Sequence, residues 1–218
     1  MNKTLAYILI ITFPYLVSGQ EMLIEQIAGK EVIRQSFNAA KELTSKQVFQ
    51  VGQLQTKGNQ LVVRLQVSLY DKDLKLTDQY ITKYTCEPDK SDILLSVFPF
   101  ARKGDAEYII EASSSGFTKL YDFSPVTKKL EDLSLEISVE SGILSFFGSK
   151  NLLSLTERRL RKNENGYTLQ SQMTIEAYLW GLKVKTIRYR ITEKLDHNRA
   201  LLSQMFIDND GSYFLMDY

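Results

Sequence analysis

The chain is poor in the residues that mark several function classes. It has one cysteine, Cys86, in 218 residues, so no disulfide can form within it and no cysteine-based zinc set can be built. It has one histidine, His197, in the polar run Asp196-His197-Asn198-Arg199 between two strand-like stretches. A metal centre would need further ligands at matched spacing, and His197 reads as a surface turn residue. No glycine-rich phosphate loop and no nucleophile elbow is present. Neither sign of charge is in excess, with 27 Lys and Arg against 26 Asp and Glu. Binding to nucleic acid by counterion release needs a basic surface, so nucleic acid is not an expected partner. There are only four prolines, which leaves long stretches where a strand can run unbroken. No cofactor and no catalytic residue is expected.

What is present begins with a leader. Lys3 precedes an apolar run over residues 5–17, and Val17-Ser18-Gly19 offers small residues for a signal peptidase. That layout reads as a secretory signal peptide over residues 1–19, cleaved after Gly19. It predicts export to the periplasm, with secretion beyond it as the other destination. Residues 20–218 then fit a single all-β domain. No later apolar run reaches the roughly eighteen residues of a membrane helix.

The organising stretch is residues 61–86. Leu61, Val63, Leu65, Val67 and Leu69 share one parity, and Arg64, Gln66, Ser68 and Tyr70 share the other. Side chains alternate across a strand, so this is a strand with one apolar face. A polar loop over residues 71–75 leads to a second alternating run, with Tyr80, Thr82, Tyr84 and Cys86 on one side. The pair reads as a long antiparallel hairpin. Cys86, on its strand's apolar side, is expected to be buried and unpaired. The same layout recurs: Phe37-Asn38 then Leu43-Thr44, Tyr70-Asp71 then Leu76-Thr77, and more loosely Ile207-Asp208 to Ser212. Asp71/Asp73 and Asp208/Asp210 do not continue into a calcium loop and read as turn chemistry.

Further strands are expected over residues 31–37, 44–56, 108–112, 117–123, 133–139, 152–162, 167–180, 182–192, 200–207 and 212–218, with a short helix near Leu23 and Ile27. Asn165-Gly166 marks a tight hairpin, and Gly181 a bulge or bend. The class is mainly β: a single large curved antiparallel sheet, an incomplete β-barrel of about a dozen strands with little helix.

The hairpin segments Phe37-Asn38 with Leu43-Thr44, residues 63–70 with Asp71 and Lys75-Leu76-Thr77, and Tyr84-Thr85-Cys86-Glu87 are similar to a group of exported Gram-negative envelope proteins, some labelled TapB-like and most uncharacterised. Leu133-Ser134-Leu135 and Leu155-Thr156-Glu157-Arg158-Arg159 are similar as well. The resemblance implies an incomplete antiparallel barrel like those of periplasmic lipoprotein carriers. The chain departs from the group's pattern by lacking a second cysteine around residues 173–178 and by having Leu74 and Glu42 in place of a loop glycine. The first departure removes the disulfide that the resemblance would imply. No catalytic residue is carried over.

Two segments stand out as unusually apolar for loops: residues 93–100, with Phe98 and Phe100, and residues 142–148, with Phe146 and Phe147. They read either as core or as the rim of a cavity for an acyl chain. The expected ligand-binding residues are Phe98, Phe100, Phe146, Phe147 and Trp180. The expected function is a non-catalytic binding or carrier protein for an apolar or amphipathic envelope molecule. The alternative is a structural or assembly protein that binds a protein or an anionic glycan through its sheet, with peripheral membrane contact as a further partner class. Basic residues recur at Arg158, Arg159, Arg161 and Lys162 and at Lys183, Lys185, Arg188 and Arg190, with Tyr178, Trp180 and Tyr189 interleaved. They read as a solvated, charge-mixed face or as a platform for an anion. Glu136, Glu140 and Glu176 lie on strands and could work in pairs as acid and base, a pairing that their positions across the sheet would decide.

Overall fold

A computed structural model describes residues 23–86, 108–112, 120–121, 123–124, 126–139, 150–179 and 182–218. They form a helix α1 (Leu23–Ile27) and twelve strands: β1 (Glu31–Phe37), β2 (Leu43–Val51), β3 (Gln55–Lys57), β4 (Gln60–Tyr70), β5 (Leu76–Cys86), β6 (Tyr108–Ala112), β7 (Leu133–Val139), β8 (Lys150–Asn163), β9 (Gly166–Leu179), β10 (Leu182–Leu195), β11 (Leu201–Ile207) and β12 (Tyr213–Asp217). All twelve belong to one sheet, in the order β2-β1-β12-β11-β10-β9-β8-β7-β6-β5-β4-β3. Among the described residues every pairing is antiparallel except β5 with β6, which runs parallel from Tyr84↔Tyr108 to Cys86↔Ile110.

The sheet curls until β2 also pairs with β4, from Lys46↔Tyr70 to Val51↔Leu65. Elsewhere the wall is incomplete. β6 meets β5 and β7 through three residue pairs each, and among the described residues the rest of β5 has no strand on that edge. The class is therefore the expected one: mainly β, a single large curved antiparallel sheet that is not a closed barrel.

Local chemistry explains the hairpins. Four five-residue loops share one hydrogen-bonding scheme. The first residue donates its N–H to the fifth carbonyl, and the fourth donates to the first: Asn38 with Glu42 and Lys41, Asp71 with Lys75 and Leu74, Asp196 with Ala200 and Arg199, Asp208 with Ser212 and Gly211. In the first three, the leading Asn or Asp side chain also accepts from the fifth residue's N–H. The fourth residue is left-handed in each, with φ of 64°, 60°, 69° and 86°. Thr44 and Thr77 then donate to Ser36 and Leu69 across the ladder, at 3.0 and 3.1 Å. The expected Leu-Thr repeat is thus a structural unit, and its carboxylates are spent on backbone N–H groups. His197 is exposed in the third of these loops, its Nε2 3.1 Å from the Glu164 carbonyl.

The core lines the concave side. Leu61, Val63, Leu65 and Val67 of β4 are buried, facing Tyr84 and Thr82 of β5, as alternation predicts. Cys86 pairs with Leu61; its side chain lies outside the described part of the structure. β9 contributes Leu169, Met173 and Ile175, and β11–β12 contribute Phe206 stacked on Phe214 with ring centroids 4.5 Å apart. The expected strand over residues 117–123 is not one where it is described: Leu120, Tyr121 and Phe123 are irregular and buried. A side chain, Arg158, takes up the Leu120 carbonyl there, which is the job a neighbouring strand would do. The expected strand over residues 44–56 is interrupted over residues 52–54: Gly52 still donates its N–H to the Arg64 carbonyl at 2.7 Å, in register with β4, and the chain then leaves the ladder until β3. Gly166, the hairpin glycine, has φ +133°, and a side-chain carbon there would press on the Asp196 backbone at 2.7 Å. The leader residues, residues 93–100 and 142–148, and Gly181 lie outside the described residues.

Candidate binding groove on the outer face

The site begins with a β-bulge. Between Thr156↔Gln172 and Arg159↔Gln170 the β8 strand advances one residue more than β9. Before the bulge, Leu153 and Leu155 point inward; after it, Arg158 and Leu160 do. Strict alternation would have given Arg159 and Arg161 the inward parity of Leu155. The extra residue hands that place to Arg158 and turns Arg159 and Arg161 out to solvent. Glu157 sits in the bulge with φ 52°, its N–H donated to Asp132 Oδ1 at 3.1 Å. Beyond β7, residues 128–130 continue along β8: Leu130 donates to the Arg158 carbonyl and Leu160 to that of Lys128, each at 2.8 Å. That bond sets Lys128 beside Arg159 and Arg161.

On the outer face the rows of the sheet are polar across β8, β9 and β10 and end on apolar residues of β11. Arg159 pairs with Gln170, Gln170 with Thr192, and Thr192 with Met205; the adjacent row runs Gln172, Arg190, Ile207. A groove of about 400 Å³ opens over these rows, lined by Arg159, Gln170, Gln172, Arg190, Thr192 and Met205 among others, with Glu157 its only acidic lining residue among the described residues. A second depression of about 350 Å³, lined by Lys128, Arg159, Arg161, Thr168 and Gln170, shares Arg159 and Gln170 with it. Arg159, Arg161, Arg190 and Lys128 are all exposed. Among the described residues none of the four makes an ion pair or a side-chain hydrogen bond.

The second basic run behaves differently along its length. Lys183 lies 2.9 Å from Glu176, and Tyr178 donates to the same carboxylate at 2.7 Å. The bond from Lys183, then that from Tyr178, holds the Glu176 carboxyl below its ordinary range. A bulge between Lys183 and Lys185 then shifts the phase, pairing Lys185 with the inward residue Ala177. Arg188 and Arg190 return to the outer face. The outer cations are therefore Arg159 and Arg161 from the first run and, from the second, Arg188 and Arg190 with Lys183, which is committed to Glu176.

The inner face carries a separate polar set. Gln204 donates to Glu193 Oε1 at 2.6 Å and Tyr121 to the same oxygen at 2.9 Å. Tyr218 donates to the Gln204 carbonyl oxygen. Glu193 and Gln204 are buried, and burial pushes the Glu193 carboxyl above its ordinary range against the pull of those bonds and of Arg158. On β1, the Arg34 guanidinium lies 4.2 Å over the Phe214 ring, and burial lowers it to about 10. These groups hold the concave side together and belong to its packing.

Of the expected site residues, Phe98, Phe100, Phe146, Phe147 and Trp180 all lie outside the described residues. The groove residues Gln170, Gln172 and Thr192 carried no motif. A signal for the bulge does exist in the sequence: Leu153 and Leu155 are odd, Leu160 is even, and a strand cannot keep all three inward without an extra residue between them.

No family model and no curated protein matches the chain. Among solved structures it is similar to one from Parabacteroides distasonis, classed as a lipoprotein, at 12% identity and a TM-score of 0.45, covering 90% of this chain and 96% of that one. It is similar to an exported protein with a YmcC-like fold from Bacteroides fragilis at 15% identity and a TM-score of 0.42, covering 87% and 93%. Neither is named as TapB-like.

Proposed function

We propose that the protein is an exported, non-catalytic binding protein of the cell envelope that grips an anionic partner through the outer face of β8–β11. The observation that carries this reading is the groove shared by Arg159 and Arg190, cations with no partner of their own among the described residues. Two exposed cations opening on one groove give it a positive potential that favours a ligand of opposite sign. The leader-like N-terminus supports an envelope location. The carrier reading depends on Phe98, Phe100, Phe146, Phe147 and Trp180, and it stands as the competing outcome of one experiment. Purified protein is titrated with soluble polyanions at rising salt, and its bound lipid is sought by native mass spectrometry. Binding that weakens with salt and is lost in R159E/R190E, with the melting temperature unchanged, supports the outer-face reading. Absence of polyanion binding together with a retained lipid would transfer the function to the carrier reading.

A further inference from the structure

We infer that the anion held on this face is a carboxylate-bearing glycan chain laid across β8, β9 and β10; the inference rests on the proposed outer-face binding. The two depressions share Arg159 and Gln170 and so form one trough, far larger than a single small ion. Its charges are also widely spaced. Residues two apart on a strand lie about 7 Å apart, which separates Arg161 from Arg159. Arg190 lies two strands across and one such step along, about 12 Å from Arg159. Side chains so placed do not converge on one phosphate. They match charges that recur along a polymer.

The donors set the geometry of what is bound. The three strand cations of the trough are arginines, whose planar guanidinium fork matches a carboxylate or a phosphate with two parallel bonds. Phosphate sites add backbone N–H groups from a helix N-terminus or a nest. Here the flanking backbone is committed to the ladders of β8, β9 and β10. The same commitment excludes an acidic peptide bound by strand addition, which needs a free edge. Between the arginines stand Gln170, Gln172 and Thr192, neutral groups that both donate and accept, as sugar hydroxyls require. Met205 lends the floor an apolar patch for the C–H side of a sugar ring.

The test uses the folded mature chain and four probes: polygalacturonate, neutral dextran, polyglutamate and polyphosphate, compared at equal charge and fixed salt. Polygalacturonate is expected to bind at least about tenfold tighter than the other three. R159K/R190K keeps the charge but loses the forks, and it should weaken polygalacturonate about tenfold. Q170A/Q172A should weaken polygalacturonate and leave the melting temperature in place. If polyglutamate or polyphosphate binds as tightly as polygalacturonate and the lysine variant is silent, the outer face binds anions and the glycan inference falls. If none of the polyanions binds, the outer-face reading falls with it.

Discussion

Arg158 and Arg159 are consecutive residues with the same side chain, and they have opposite roles. Arg158 is 2% exposed and donates to the carbonyls of Leu120 and Glu131, pinning the irregular segment across the concave side. Arg159 is exposed, lines both depressions of the outer face and has no partner among the described residues. One inserted residue, Glu157, separates the two roles by shifting the phase of β8. A basic cluster is thus not one feature. The inner arginine is committed to the fold, and the outer one is left with its charge to offer.

The largest expected effect breaks the inner side. Arg158→Ala leaves the buried Leu120 carbonyl and the half-buried Glu131 carbonyl without their donor and Glu193 without its nearby positive charge. Losing hydrogen bonds from a charged donor in a buried site costs about 3 kcal/mol or more. Arg159→Ala should stay within about 0.5 kcal/mol, as for other surface changes. Urea denaturation of the two variants checks the contrast. Equal losses would mean that the bulge does not divide the roles.

A second, smaller effect comes from Glu193. Its carboxyl is held above the ordinary range by burial, against Gln204, Tyr121 and Arg158, which favour the charged form. The native state therefore binds this proton more tightly than the unfolded chain does. Its contribution to stability is complete below the ordinary carboxylate range and is lost as pH rises from there through the folded value. The slope from this one proton is at most about 1.4 kcal/mol per pH unit. Glu193→Gln should flatten that part of the stability profile, as measured by urea midpoints across the acid-to-neutral range. Tyr121→Phe removes one donor from the same carboxylate and should cost about 1 kcal/mol.

Much of the frame was legible in local pattern. Alternation over Leu61, Val63, Leu65 and Val67 gave the inner face of β4, and Asn38, Asp71 and Asp208 announced hairpin loops. The loop at Asp196 shares their bonding but lacks the flanking aromatic and Leu-Thr, so its kinship was hidden. The inner polar set was not legible. Tyr121 and Glu193 meet across 72 positions, and a run such as Thr192-Glu193-Lys194 reads as solvated until its neighbours are known. The outer groove was half legible. The basic residues were visible, but the eight divide into inner, outer and paired only through two bulges, whose extra residues invert every parity count that crosses them.

The smallest expected effect on stability comes from the residue that divides the faces. Glu157 holds φ 52°, a conformation that costs a non-glycine residue about 1 kcal/mol. Glu157→Gly relieves that cost and adds a comparable loss of backbone freedom, so the urea midpoint should move little. Binding should respond more. Among the described residues Glu157 is the one acidic residue lining the larger depression, and it stands two residues from Arg159. Removing its charge should tighten a polyanion at low salt, with the gain fading as salt rises. Glu157→Gln separates the two causes, because it removes the charge and keeps the side chain. Equal tightening in the Gly and Gln variants assigns the gain to charge. Tightening in the glycine variant alone would mean that the bulge, rather than the field of the groove, limits what the outer face can hold.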